Sequence, residues 1–318
     1  MEKLDKVLRT ESVPLYIVGD KKGPDAFSLP SAEFLSLDAQ LRLPLSLAPL
    51  LPVGHYARKN LGYLTAMNNQ CTCIYETDDD NAPHEAFQFR SLTTRARPIR
   101  RTGWVNVFRL FSDDAQIWPR GLPLDQVRGP LPGLEEEVEM EAPIQQGLAD
   151  GAPDVDAIWR LVLDKEFMFK DGPSVQLARN VLCPFNSQNT WWFVDAYPLM
   201  YLPSYCSFRM TDIWRSFVAQ RCLWELGTGV VFHRADVLQD RNDHNLMRDF
   251  RDEIDGYTKN TELMDTLVGL TLQPGKQNVA SNLRCCYTTL IEKGFFPAKE
   301  MELVDSWLAD VAKATATM

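Results

Sequence analysis

Three carboxylates in a row close an apolar run: CTCIYETDDDNAP, residues 71–83, carries Ile74 and Tyr75 directly into Asp78, Asp79 and Asp80. Adjacent like charges repel and are costly to desolvate, so such a trio belongs in a solvated loop or where a cation offsets the repulsion. Either way a strand over CTCIYE must stop there. What precedes it is regular. Leu4, Val7 and Leu8 share one helical face, and PLYIVGD reads as a strand closed by Gly19 and Asp20. Tyr56, Asn60, Tyr63, Leu64 and Met67 then recur at helical spacing, with Asn68 and Asn69 as a stop. Between them, AEFLSLDAQLRL and PLSLAPLLP are broken by Pro44 and Pro49 and predict extended or irregular connection. This helix–strand–helix–strand order favours an open α/β sheet, in which ligands collect outside the carboxyl ends of the strands.

From about residue 100 the rhythm shortens. GWVNVFRLF predicts a strand, and EEEVEME, residues 135–141, a solvated loop or edge face. IQQGLADGAPDVDAIWRLV reads as strand, turn and helix, with Asp154 as the cap and Asp156 in the first turn. DIWRSFVAQRCLWELG is a helix with Asp212 near its start and Gly227 at its end, and GVVFHR returns as a strand. After about residue 250 the pattern is that of amphipathic helices, and no repeat or biased linker forces a split of the chain.

Composition narrows the partners. A net charge of −10 argues against general affinity for nucleic acid or anionic lipid, which are held through clustered Lys and Arg. The one basic cluster, Arg95, Arg97, Arg100 and Arg101, reads as a solvated loop before a strand or a local anion patch. Seven cysteines, with a CxC at Cys71 and Cys73 and a vicinal Cys285–Cys286 pair, suggest reduced thiols rather than a disulfide framework. No zinc ligand spacing and no membrane span is read in this chain, and the amphipathic MEKLDKVLRTE is not signal-like. A cytoplasmic location is the expectation these features give.

Four groups of residues carry chemistry. Mg²⁺ or Mn²⁺ commonly joins one or two carboxylates to substrate phosphates, a task suited to two Asp residues one apart at a strand end. Arg58 and Lys59, entering on the preceding helix, either meet the same diphosphate or snorkel at a helix terminus. PFNSQNT sets Asn186, Ser187, Gln188 and Asn189 between Phe185 and Trp191, which suits a polyhydroxylated ligand or a turn with self-satisfied amides. Asp212 is a helix cap or a general base.

The ordered blocks RKNLGYLTAMNNQCTCIYETDDDN, IWPRGLPLD, IQQGLADGAPDVDAIWRL, PFNSQNTWW, TDIWRSFVAQR and RNDHN resemble the STELLO family of glycosyltransferases over roughly residues 14 to 260. GYLTAMNNQCTCIYETDDD and TDIWRSFVAQRCLWELGTGV are more weakly similar to the reversibly glycosylated polypeptides, which act as UDP-arabinopyranose mutases. The resemblance implies an α/β, GT-A-like nucleotide-sugar-binding fold: a central mixed, mostly parallel sheet flanked by helices, with C-terminal helices. It implies a glycosyltransferase domain over residues 1–260 and a helical extension over 261–318 packed on the same domain. In such enzymes an Asp-x-Asp holds Mn²⁺ or Mg²⁺ against the donor diphosphate, which maps onto Asp78 and Asp80 with Asp79 between. His244 in RNDHN is the implied further metal ligand, in preference to His233, and Asp212 the acidic residue beside the acceptor. Arg58, Lys59, Asp20 and Lys21 are the implied nucleotide contacts, and Asn186, Gln188, Asn189 and Arg215 the sugar or acceptor contacts. The implied partners are a nucleotide-sugar donor, UDP-linked, and a carbohydrate or other hydroxyl acceptor. A UDP-sugar mutase and a non-catalytic scaffold are the alternatives. STELLO relatives are Golgi proteins, so a Golgi lumenal site is the alternative location. One departure is visible: the opening helix leads directly to PLYIVGD, leaving almost no residues for the first strand, which helps form the base pocket of GT-A domains.

Overall fold

In the computed structural model, which describes residues 1–240 and 245–316, the first elements follow the sequence closely. Helix α1 (Glu2–Thr10) buries Leu4 and Leu8, and strand β1 (Leu15–Val18) follows. The segment expected to be irregular instead holds strand β2 (Ala32–Leu35) and helix α2 (Leu37–Leu41), whose Ser36 cap accepts from the Ala39 N–H at 3.2 Å. β1 and β2 pair in parallel as a two-stranded sheet of their own. A 3₁₀ turn over Tyr56–Arg58 runs into α3 (Lys59–Asn68), buried from Asn60 to Met67. Strand β3 (Cys73–Thr77) then ends directly before Asp78.

The central sheet is built from β3 onwards. Its further strands are β4 (Asn81–Pro83), β5 (Thr93–Arg100), β7 (Gly133–Leu134), β8 (Val138–Glu141), β9 (Ile144–Gly151), β10 (Val175–Gln176), β12 (Asn189–Phe193) and β13 (Val231–Gln239). Two short strands, β6 (Gly103–Trp104) and β11 (Val181–Leu182), pair apart from it. Among the described residues the nine strands run β3-β12-β9-β13-β10-β5-β7, with β4 on β13 and β8 on β5. The sheet is mixed and flanked by helices, but it is not mostly parallel: only β9–β13 and β5–β10 run in parallel. The reason is the lack of crossover helices. Between β3 and β12 the chain holds one short α-helix, α4 (Ala157–Val162), and parallel pairs need a long return. GWVNVFRLF contributes only β6 and a 3₁₀ turn over Val107–Phe111.

The basic and acidic surface runs satisfy each other. Arg95, Arg97 and Arg100 lie on β5 itself rather than in a loop before it. β8 lies antiparallel alongside, Arg95 and Arg100 pair with Glu137 and Glu135, and Arg97 donates to the Glu135 carbonyl.

β9 is buried at all eight positions, which its two glutamines survive because both are hydrogen-bonded. Gln146 donates to the Gly147 and Asn189 carbonyls, and its Oε1 accepts from the Asn186 N–H and the Thr190 hydroxyl. One side chain of β9 thereby fixes the turn that enters β12.

Helix α5 (Thr211–Leu223) is buried throughout, and the 3₁₀ turn that continues it over Trp224–Leu226 is ended by Gly227 in the left-handed region, φ 73°. Against α5 pack α6 (Leu246–Val268) and α7 (Val279–Glu292), and α8 (Glu300–Thr315) packs on α7 and α3, with Leu263, Leu290 and Trp307 in one core with Trp192 and Trp214. Two buried carboxylates tie α8 down. Asp310 accepts from the N–H groups of Ser46 and Leu47 at 3.0 and 2.9 Å, and Glu300 from those of Ser204 and Tyr205. All seven cysteines are free. Among the described residues no helix is long and apolar enough to cross a membrane.

The cap of α4 is Asp156, not Asp154: its Oδ1 accepts from the Trp159 N–H at 2.7 Å and its Oδ2 from the Trp118 indole at 2.6 Å. Burial pushes the Asp156 carboxyl from 3.8 up to about 6, against those two bonds. Because the folded value is the higher one, ionisation costs stability above about pH 6, and the cost fades as pH falls toward the ordinary Asp range. Asp156→Asn keeps a competent cap but cannot ionise. The stability of the native protein relative to this variant should therefore rise by about 1 kcal/mol between pH 7 and pH 5. Urea unfolding at the two pH values measures it, and a constant difference would show that burial does not perturb this carboxyl.

Candidate functional site

At the carboxyl ends of β3, β9 and β13 the molecule opens into a cleft of about 240 Å³. Asp78, Asp79 and Asp80 form its acidic edge, Asn186 and Gln188 come from the turn before β12, Gln239 from the end of β13, and Asp212 from the first turn of α5. Pro153 and Asp154 follow β9. Gly151 makes that exit possible: its φ is +80°, and a Cβ there would stand 2.7 Å from the Gln239 carbonyl oxygen.

The three Asp residues have separate environments. Asp78 Oδ1 accepts from the Tyr56 hydroxyl at 2.8 Å and from Lys59 Nζ at 2.8 Å, and Lys59 also donates to the Tyr56 oxygen at 2.9 Å. Asp79 is exposed. Asp80 accepts from Gln239 Nε2 at 3.1 and 3.2 Å, and burial, opposed by that bond, raises its pKa. Asn81 Nδ2 donates to the Gln188 carbonyl at 2.6 Å, locking the end of β3 to the amide-rich turn. In that turn Asn186 Oδ1 accepts from the Gln188 N–H at 3.0 Å, and Gln188 Nε2 donates to Gln239 Oε1. The amides thus line the cleft and hold the turn's shape at once.

The same cleft is lined by a residue that the sequence reading passed over, Arg120 of IWPRGLPLD. Its guanidinium grips Asp154 through Nε and Nη2, both at 2.8 Å, and Asp212 through Nη1 and Nη2 at 3.0 and 2.9 Å. Gly121, at φ +86°, lets this loop lie on α5, since a Cβ would meet Ile213 Cγ2 at 2.4 Å. Burial pushes the Asp212 carboxyl up, but Arg120 overrides it and holds the carboxyl down at about 2. Ser187 donates its N–H and hydroxyl to Asp212 Oδ2, both at 3.3 Å, and its hydroxyl also meets that of Tyr56. Tyr56 and Ser187 therefore link Asp78 to Asp212: the Tyr56 proton goes to Asp78, and the single Ser187 hydroxyl proton serves either Tyr56 or Asp212, whose Oδ2 also takes the Ser187 N–H. Phe208, 47% exposed, lines the same cleft with its ring edge-on to His55 and Tyr56. The sequence signals for these residues were a lone Arg between Pro119 and Gly121 and an aromatic just before Asp212; neither names a role by itself.

Several residues expected at the site lie elsewhere. Arg58 is buried with Nε on Gln40 Oε1 at 2.6 Å and Nη1 on the Leu51 carbonyl at 3.2 Å, so it does not line the cleft. Arg215 faces the sheet rather than the cleft: Nη1 lies 3.0 Å from both Glu76 oxygens, and the guanidinium stacks on Trp192 at 4.8 Å. Asn189 spends its Nδ2 on the Leu148 carbonyl and Asp236 Oδ1. Asp20 accepts from the Lys21, Gly54 and His55 N–H groups, fixing a loop, and the exposed Lys21 is its neighbour. His244 lies outside the described residues.

Among the described residues no group of three or more His, Cys, Asp or Glu is arranged to hold a metal ion. Asp78 and Asp80 nonetheless put hard carboxylate oxygens on the cleft edge. That donor set fits a divalent cation shared with a ligand's phosphates, and does not fit a cage built from protein alone.

Residues 209–317, from the turn before α5 to the end of α8, match the family model for STELLO glycosyltransferases. The chain is 28% identical over 337 residues to "Probable glycosyltransferase STELLO1" and 28% identical over 332 residues to "Probable glycosyltransferase STELLO2", both of Arabidopsis thaliana. Each alignment covers 98% of this chain but 42% and 43% of those proteins, so the chain spans about two-fifths of their length. The likeness therefore runs beyond the stretch of residues 14 to 260 that the motif blocks cover. The family-model match on the C-terminal third and the alignments over 98% of the chain make it similar to the STELLO glycosyltransferases along nearly its whole length.

Proposed function

We propose that the cleft is the site of a metal-dependent glycosyl transfer from a nucleotide-sugar, UDP-linked, to an acceptor hydroxyl. The observation that carries this reading is the convergence of Asp78 and Asp80 with Asn186, Gln188 and Asp212 on one cleft at the carboxyl ends of the strands. A Mn²⁺ or Mg²⁺ ion on Asp78 and Asp80 would supply neutralisation of the leaving diphosphate. Asn186 and Gln188 present amides to sugar hydroxyls, and Phe208 gives an apolar face beside them. In an inverting transfer the acceptor oxygen bonds to the anomeric carbon while the bond to the diphosphate oxygen breaks, the electron pair leaving with the nucleotide. The acceptor proton passes to Asp212. A carboxylate held at about 2 is a weak base, but the proton it takes becomes strongly acidic as the new C–O bond forms.

Asp80→Asn is expected to abolish Mn²⁺-dependent binding of UDP-sugars measured by calorimetry, and unchanged binding counts directly against the proposal. A thermal-shift panel of nucleotide-sugars with and without Mn²⁺ selects the donor, since a ligand that binds the native state raises its melting temperature. Ring-isomerised product from a UDP-sugar alone would assign the site to a mutase instead.

A second reading, a non-catalytic glycosyltransferase-like scaffold, draws on the separation of β1 and β2 from the central sheet. The well-folded protein binding no UDP-sugar in the presence of Mn²⁺ would favour it.

A further inference from the structure

Lys59 occupies an electrostatically awkward place. It is the first residue of α3, where the positive end of the helix disfavours a cation, and the first turn of that helix has no acidic residue to offset it. What holds it there is Asp78, at 2.8 Å, together with the Tyr56 hydroxyl at 2.9 Å. Both partners are only partly exposed, 21% and 29% by side chain. The acidic trio is therefore not three equivalent carboxylates waiting for an ion. Asp78 already has a cation, Asp80 takes, among the described residues, the neutral amide of Gln239, and Asp79 is exposed.

We propose that Lys59 is the resident counter-cation of Asp78 and that it keeps free divalent ions off the trio, so that the site takes its metal together with a ligand's diphosphate rather than before it. This rests on the metal-and-nucleotide reading of the cleft. A divalent ion arriving alone has to approach Asp78 against the ammonium or settle for Asp80. A diphosphate reverses the balance: it brings enough negative charge for the metal and the ammonium to be held at once, and the metal gains phosphate oxygens as ligands. Metal and nucleotide then raise each other's affinity, and by linkage the enhancement is the same in both directions.

The test is Mn²⁺ binding, followed by calorimetry and by the loss of the electron paramagnetic resonance signal of free aqueous Mn²⁺, with and without UDP. Native protein should bind Mn²⁺ weakly alone and strongly with UDP. Lys59→Met, which keeps most of the side chain's bulk, should bind Mn²⁺ alone at least tenfold more tightly than native protein and show a smaller enhancement by UDP. Lys59→Arg, which keeps the cation, should behave as native. Lys59→Gln provides a second neutral variant should Lys59→Met fold poorly, circular dichroism reporting on the fold of each. If the neutral variants bind free Mn²⁺ no better than native protein while native protein binds Mn²⁺ with UDP, the role of Lys59 is overturned and the site reading stands. If no variant and no native sample binds Mn²⁺ with UDP, the site reading itself falls, and the role of Lys59 with it.

Discussion

Arg215→Met is expected to lower the unfolding free energy by about 3–5 kcal/mol, the usual cost of removing one member of a buried ion pair. Arg215 is 1% exposed and Glu76 2%, and the Nη1 of the first lies 3.0 Å from both carboxylate oxygens of the second. Glu76 also accepts from the Tyr63 hydroxyl and, at 2.9 Å, from the Trp192 indole. Without the guanidinium, this carboxylate must either stay charged in the core beneath the cleft or take up a proton at neutral pH; both are costly. The double variant Glu76→Gln with Arg215→Met removes the stranded charge and should recover a large part of the loss. Guanidinium unfolding of the single and double variants gives the comparison, and a single variant that loses under about 1 kcal/mol would mean the pair is not a structural keystone.

The largest effect on turnover is expected from Asp212→Asn, which should lower transfer by about 10²–10⁴-fold, the usual contribution of a positioned base. Binding of UDP with Mn²⁺ should survive, because Asp212 is not one of the carboxylates proposed to hold the metal and is bonded to Arg120 and Ser187. Its pH behaviour tests the hold that Arg120 has on it. Asp212 is held down at about 2, so it stays ionised throughout the neutral range, and its stabilising pairing with Arg120 is lost only as pH falls from the ordinary Asp value of 3.8 through 2. The acid limb of the rate profile between pH 5 and pH 8 should then not come from this group. A rate that drops as a single protonation near pH 6 and disappears in Asp212→Asn would contradict the geometry. Measured transfer that is unchanged in the variant would remove Asp212 from the chemistry.

How far the site could be read from the chain depended on whether a residue's role was local. The end of β3 at Asp78 was legible, because an apolar run cannot continue through three carboxylates. α5 and its left-handed Gly227 were legible for the same local reasons. The partner of a charge was not. Arg58 and Lys59 are adjacent and chemically alike, yet one turns into the core toward Gln40 and the other toward Asp78, a choice made by helix orientation and not by composition. Arg215 lies a turn after Asp212, and the same logic sends it to Glu76, 139 residues away in sequence. Arg120 was hidden because its carboxylates come from two separate segments, Asp154 and Asp212. The exchange of Asp154 and Asp156 between cap and ion pair turns on two residues of register, within the usual uncertainty of a helix start. The strand directions failed for a different reason: pairing is decided by return connections, and the Pro- and Gly-rich stretch after residue 100 supplies few helical ones.

The clamp that Asp310 places on Ser46 and Leu47 spans 264 residues. During synthesis, the segment leading into α3, and with it the side of the cleft carrying Tyr56, emerges long before its last fastening exists. Nascent chains arrested short of residue 310 should therefore leave this segment open to protease, and the cleft should set into its final form late, after most of the sheet has been translated.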